Sequence, residues 1–185
     1  MKKIILLLLL FPTIVFAQHL KFMGIPIDGD INNFGKQLQA KGFKIDKADD
    51  RHMFFIGKFA RKDAYVGVLS STKSNKVCRV IVLFQKEKTW SSLKSEYNNL
   101  KEQYSVKYEL EEESHSFVDP YYEGDGYEMS AVEAEKCDYW AFFKAEYGTI
   151  LLEISSNCYI SVAYEDNSNI EKEKAERNSK IQEDI

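Results

Sequence analysis

Residues 77–84, Val77-Cys78-Arg79-Val80-Ile81-Val82-Leu83-Phe84, followed by 89–104, Thr89-Trp90-Ser91-Ser92-Leu93-Lys94-Ser95-Glu96-Tyr97-Asn98-Asn99-Leu100-Lys101-Glu102-Gln103-Tyr104, decide the fold. The first run is dense in β-branched side chains and reads as a strand. In the second, Trp90, Leu93, Tyr97, Leu100 and Tyr104 lie 3, 4, 3 and 4 residues apart, an apolar stripe along one helix face. A coiled coil needs the pattern sustained over about three or four heptads, and the run is shorter than that. The stripe therefore faces a core.

The pattern extends both ways. Toward the N-terminus, Ala64–Ser70 and Met53–Ala60 read as strands separated by the polar turn Arg61-Lys62-Asp63. Before them, Ile31, Phe34 and Leu38 predict a helix over 30–41, with Asp30 as N-cap, Gly42 at C′ and Phe43 as the apolar partner of that cap. A short strand at Leu20–Ile25 stops at Pro26 and the Asp28-Gly29 turn. Toward the C-terminus come a short strand at Val106–Leu110, an irregular insert at 111–136, and strands at Asp138–Glu146, Thr149–Ser155 and Cys158–Tyr164. The remainder, 166–185, is a charged tail, helical or disordered.

This order predicts an α+β fold, an antiparallel sheet made from two α-β-β-β-β repeats with helices packed on one face. The repeats span 26–86 and 87–165 within a single domain, 18–165. Gly42-Phe43-Lys44-Ile45 is echoed by Ser105-Val106-Lys107-Tyr108, and Val68-Leu69-Ser70-Ser71 by Glu153-Ile154-Ser155-Ser156. The two helix starts differ by 59 positions and the Ser-Ser ends by 85, and the difference equals the 26-residue insert.

The first 17 residues read as a signal peptide: a basic Met1-Lys2-Lys3, an apolar Ile4–Phe16, and the small-x-small end Val15-Phe16-Ala17. Cleavage there leaves 168 residues with 23 basic and 29 acidic side chains, a net charge of −6. Gln18 stands where a lipoprotein would need cysteine, so a periplasmic or secreted product is expected. Past the signal no run approaches the ~20 apolar residues of a membrane span, so no membrane insertion is expected. The acidic balance argues against a nucleic-acid partner.

An oxidising compartment permits disulfides. With Tyr147-Gly148 as a two-residue hairpin turn, cross-strand partners sum to 295, Ala141 faces Ile154, Phe143 faces Leu152, and Cys137 faces Cys158. Directly opposed Cα atoms lie about 4.5–5.5 Å apart, within disulfide range. This register predicts a Cys137–Cys158 bond and leaves Cys78 a buried thiol.

Motifs for catalysis are absent. His19, His52 and His115 make no H-x-x-x-H or H-E-x-x-H pair, no C-x-x-C exists, and there is no G-x-S-x-G elbow or phosphate loop. No metal and no cofactor are expected. The insert is the unusual patch: Glu111-Glu112-Glu113, Phe117, then Asp119-Pro120-Tyr121-Tyr122-Glu123-Gly124-Asp125-Gly126-Tyr127-Glu128 and a short helix-like 129–136. Irregular loops longer than about 12–15 residues are usually functional or disordered, and the aromatics here speak against disorder. Tyrosines beside glycines suit recognition, since rigid rings give contact area at small entropic cost. The candidate binding residues are Tyr121, Tyr122, Glu123, Asp125, Tyr127 and Glu128. Two other uses stay open: the tyrosines pack the loop on the sheet, or the carboxylates gather round a hard cation, for which their spacing does not match an EF-hand.

Phe22-Met23-Gly24-Ile25-Pro26-Ile27-Asp28-Gly29, with the helix ending Lys41-Gly42-Phe43, and the string Pro120–Val132 resemble a group of uncharacterised secreted proteins of gut Bacteroidetes. The resemblance covers most of the chain past the signal, implies export, and carries over no functional residues. In outline the duplicated unit is also similar to β-lactamase-inhibitor proteins, in which a concave sheet binds another protein. The expectation is an exported, non-catalytic module that binds a protein or glycan through its sheet face or its 117–128 loop. A carboxylate-dependent hydrolase using the 119–128 loop and a structural envelope protein are the alternatives.

Overall fold

The computed structural model describes residues 18–183; the expected signal peptide lies outside the described residues. Of the described residues 30% are helical and 41% are in strands, and eight strands form one antiparallel sheet, as the α+β reading requires.

Two small strands, β1 (Lys21–Phe22) and β2 (Ile25–Pro26), form a tight hairpin where one strand over Leu20–Ile25 was expected. The reason lies at Met23 and Gly24, which turn the chain with φ of +50° and +81°, a two-residue reversal that short hairpins favour. Helix α1 (Ile31–Ala40) begins as its sequence dictates: the Asp30 carboxylate accepts hydrogen bonds from the amides of Asn32 (2.9 Å) and Asn33 (3.2 Å). It ends with Gly42 at φ +94° and the Phe43 amide bonded to the Leu38 carbonyl at 3.2 Å.

Four strands follow: β3 (Lys44–Ala48), β4 (His52–Phe59), β5 (Lys62–Ser70) and β6 (Val77–Phe84). Helix α2 (Trp90–Ser105), capped by Thr89, buries Leu93, Tyr97, Leu100 and Tyr104. Then come β7 (Glu109–Phe117), the short α3 (Glu128–Glu133), β8 (Cys137–Ala145), β9 (Gly148–Ile154), β10 (Ile160–Asp166) and α4 (Asn167–Glu183). The sheet order is β3-β4-β5-β6-β10-β9-β8-β7.

The face under α1 and α2 is the core. Along each inner strand alternate residues are buried: Met53 and Phe55, Val66 and Val68, Val80 and Val82, Val162 and Tyr164, Ile150 and Leu152, Ala141 and Phe143. Each large apolar side chain removed from water this way contributes about 1.5–3 kcal/mol before entropy is counted. Gly35 in α1 lets that helix settle on the sheet, since an added Cβ there would lie 3.0–3.2 Å from Met53 and Phe55.

The opposite face carries no helix over its centre. One row runs across all eight strands as Lys47, Phe54, Gly67, Ile81, Ala163, Leu151, Phe142 and Glu112. Its neighbour runs Lys44, Ile56, Tyr65, Leu83, Ser161, Glu153, Trp140 and Ser114.

Three further expectations need correction. The last hairpin turns at Glu146-Tyr147, with Ala145 paired to Gly148, so Ala141 faces Leu152 and Phe143 faces Ile150. The shift by two residues keeps every side chain on its expected face but separates the cysteines. Cys158 sits in the turn between β9 and β10 at φ +61°, and Cys137 and Cys158, like Cys78, are free thiols. Gly148 is not a turn residue: its missing Cβ lets the Glu165 carbonyl and Leu20 come close. The region 106–117 is not a short strand followed by irregular chain, because Val106 caps α2 and 109–117 form the edge strand β7. The charged tail, expected as helical or disordered, forms the helix α4 over 167–183, packed on β6 and β10.

Candidate functional site

The 118–136 segment projects beyond the ends of β7 and β8. Its neck is closed by the Val118 amide bonded to the Lys136 carbonyl at 2.9 Å. Beneath it lies an aromatic cluster shared by three elements: Trp90 of α2, Phe117 of β7 and Tyr139 of β8. The Trp90 ring stands edge-on to Phe117 at 5.4 Å and to Tyr139 at 5.0 Å, and Tyr97 and His115 complete the cluster. Met129 packs against the core, and Ala131 and Val132 of α3 are buried, fixing the far side of the loop.

Each carboxylate singled out in the sequence is engaged in holding this loop. Glu123 forms an ion pair with Lys94 of α2 and accepts the Tyr139 hydroxyl at 3.0 Å. The Lys94 bond, ahead of the contributions of Tyr139 and Trp90, holds its carboxyl below the usual carboxylate range. Burial above all, and then the Glu123 carboxylate, pushes the Tyr139 hydroxyl up, so it remains a donor. Asp125 accepts from the amides of Tyr122 (3.1 Å) and Tyr127 (2.6 Å), an Asx-type closure of the turn. Glu128 accepts from the Gly124 amide at 2.8 Å. Gly124 and Gly126 supply the left-handed backbone, at φ +92° and +80°, that lets these bonds form.

With the carboxylates bonded to the loop and its neighbours, the rings are left unengaged. Tyr122 and Tyr127 are each 65% exposed, and Tyr121 is half-buried. All six residues therefore belong to one small tip, but they divide into scaffold (Glu123, Asp125, Glu128) and surface (Tyr122, Tyr127). Among the described residues no group of three or more His, Cys, Asp or Glu is placed to hold a metal ion.

Two features escape a reading of the insert alone. Trp90 and Lys94, one helical turn apart on α2, anchor the tip from another element, and only their i,i+4 spacing hinted at a shared face. The uncovered sheet face was announced by β8, where Trp140 and Phe142 interleave with Tyr139, Ala141 and Phe143, so the strand is apolar on both sides. That pattern marks a sheet meant to be covered twice. Trp140, Phe142, Leu151, Glu112 and Glu153 line a shallow depression on this face.

Fold and site together define an α+β protein with a half-covered eight-stranded antiparallel sheet and a tyrosine-bearing tip. The chain has no significant match to a protein-family model, a curated protein or a solved structure. No helix among the described residues is long and apolar enough to cross a membrane.

Proposed function

We propose that the protein is an exported, non-catalytic binding module, built from two α-β-β-β-β units, whose tip at 117–128 contacts a protein or glycan. The observation that carries this reading is the division of labour in the tip. Its three carboxylates are consumed by Lys94, Tyr139 and backbone amides, while two tyrosine rings are held outward on a braced loop. Rings fixed in advance lose little entropy on binding, which is what a recognition surface needs. The same bonds weigh against the hydrolase alternative, since paired-carboxylate chemistry requires acids free to exchange protons with a substrate. The strand order, in which β3 to β6 and β7 to β10 meet at β6 and β10, supports two related units, each led by its own helix.

The test is a Tyr122→Ala/Tyr127→Ala variant compared with the parent protein on a glycan array and against cell-envelope extracts. The variant is expected to keep the parental unfolding midpoint and lose at least about tenfold in affinity, or ~1.4 kcal/mol. Equal binding by both proteins, or no ligand from either source, would overturn the reading.

A further inference from the structure

The face of the sheet turned away from α1 and α2 is too apolar to be left wet. Phe54 and Ile56 are each 43% exposed and Tyr65 is 50% exposed. Ile81, Leu83, Leu151, Ala163, Trp140 and Phe142 continue the surface from β6 to β8. Across eight strands at ~4.8 Å spacing and three same-face rows ~6.8 Å apart, the face measures roughly 38 by 20 Å. That is about 760 Å², close to the ~800 Å² per partner of a standard interface. The two rows that carry its apolar side chains make up about two-thirds of it, roughly 500 Å², at the upper end of what an isolated soluble chain exposes as one patch.

Its charges are arranged by edge. Lys44 and Lys47 stand on β3 at one side; Glu112 on β7 and Glu153 on β9 stand toward the other. Among the described residues none of these four has an ion-pair partner, whereas the third row, His52, Leu69, Arg79, Glu165, Thr149 and Lys144, pairs Arg79 with Glu165 and Lys144 with Glu111 of β7. A basic edge and an acidic edge on one apolar face are complementary to each other, provided the second surface is the same face turned round.

We propose that this face is covered by a second copy of the chain, related by a two-fold axis running along the strands between β6 and β10. Such a rotation keeps each row at its height and reverses the strand order. Lys47 then meets Glu112 of the partner subunit. Within the same row Phe54 meets the partner's Phe142, Gly67 meets the partner's Leu151, and Ile81 meets the partner's Ala163, so that large side chains fall on small ones at the centre. In the next row Ile56 meets the partner's Trp140, and the Tyr65 hydroxyl meets the carboxylate of the partner's Glu153, where it donates a hydrogen bond. The contact is isologous, closes on itself and leaves the polar third row as a rim.

Sedimentation equilibrium of the mature chain gives twice the chain mass if this is right. The single variants Lys47→Glu and Glu112→Lys each oppose like charges at both symmetry-related sites, and each weakens the dimer at least about tenfold. An equimolar mixture of the two variants restores opposite charges at both sites and recovers a heterodimer of near-parental affinity. That recovery also shows that both variants are folded. A monomeric parent at high micromolar concentration, a dimer indifferent to either reversal, or a mixture that stays monomeric would each overturn the proposal.

Discussion

Asn169 is a single side chain on which three segments depend. Fully buried at the start of α4, its amide nitrogen lies 3.0 Å from the Ile27 carbonyl, 3.1 Å from the Val77 carbonyl and 2.9 Å from Asp28. Its own backbone amide is held by Asp166, which also accepts the Leu20 amide at 2.9 Å. An Asn169→Ala substitution strands two buried carbonyls, and at ~1–3 kcal/mol for each unsatisfied group the expected loss is about 2–6 kcal/mol. Urea unfolding reads this as a lower midpoint at unchanged slope. Gly148 is the second sensitive position: a Cβ there would come to 2.2 Å from the Glu165 carbonyl and 2.8 Å from Leu20. Gly148→Ala is expected to destabilise by about 3 kcal/mol, the scale of an overpacked core, again measured by urea unfolding. A glycine looks the same in a sequence whether it serves a positive φ or a close approach. From sequence alone the turn therefore falls one residue late and sets Cys137 opposite Cys158, whereas the actual register keeps them apart. The burial that pushes the Cys137 thiol up to about 12 and the Cys78 thiol up to about 11 also keeps both protonated at neutral pH.

At the scale of elements, α1, α2 and β6 were legible because each carries a full period of apolar residues and, for the helices, a polar N-cap. Strand β7 was not, since Glu-Leu-Glu-Glu-Glu-Ser-His-Ser-Phe has neither alternation nor β-branching. It is a strand because β8 pairs with it, and its charge is what an unpaired sheet edge uses to deter association. Two of its partners tie it to α2. Lys101 reaches Glu113 at 2.7 Å, and Tyr97 packs edge-on to His115. The Lys101 bond holds the Glu113 carboxyl below its usual range, as the Lys94 bond does for Glu123. Both folded-state values lie below the unfolded ones, so their stabilisation is fully present above the unfolded pKa and is lost as pH falls through the depressed values. Burial, more than the nearby Lys101, lowers His115 below the ordinary imidazole range, and its protonation on acidification acts in the same direction. Melting temperature is therefore expected to fall between neutral pH and pH ~3. The fall should be shallower in a Lys94→Met/Lys101→Met variant, which lacks both cations, and thermal scans across that range check it.

Over the whole molecule, the sequence shows an antiparallel sheet with helices gathered on one side, because its runs of strands are interrupted by only two strong amphipathic helices. Which face of that sheet stays open is less legible, since period-two alternation is blurred where Tyr139, Trp140, Ala141, Phe142 and Phe143 follow one another. Nor does the insert reveal by itself that Glu123 is held by Lys94 and Tyr139, because those partners, brought to it by α2 and β8, are distant along the chain. The tip and α4 occupy opposite ends of the strands. Phe117 and Cys137 lead into the tip, while α4 clasps the turn after β5, where Glu173 accepts the Thr72 amide at 2.6 Å and Glu176 accepts the Lys73 amide at 2.7 Å. The nine-residue strands between them set that separation at roughly 30 Å. The molecule thus has a front and a back: gripped by α4 on a bead or a cell surface it displays its tyrosines outward, and gripped by the tip it hides them.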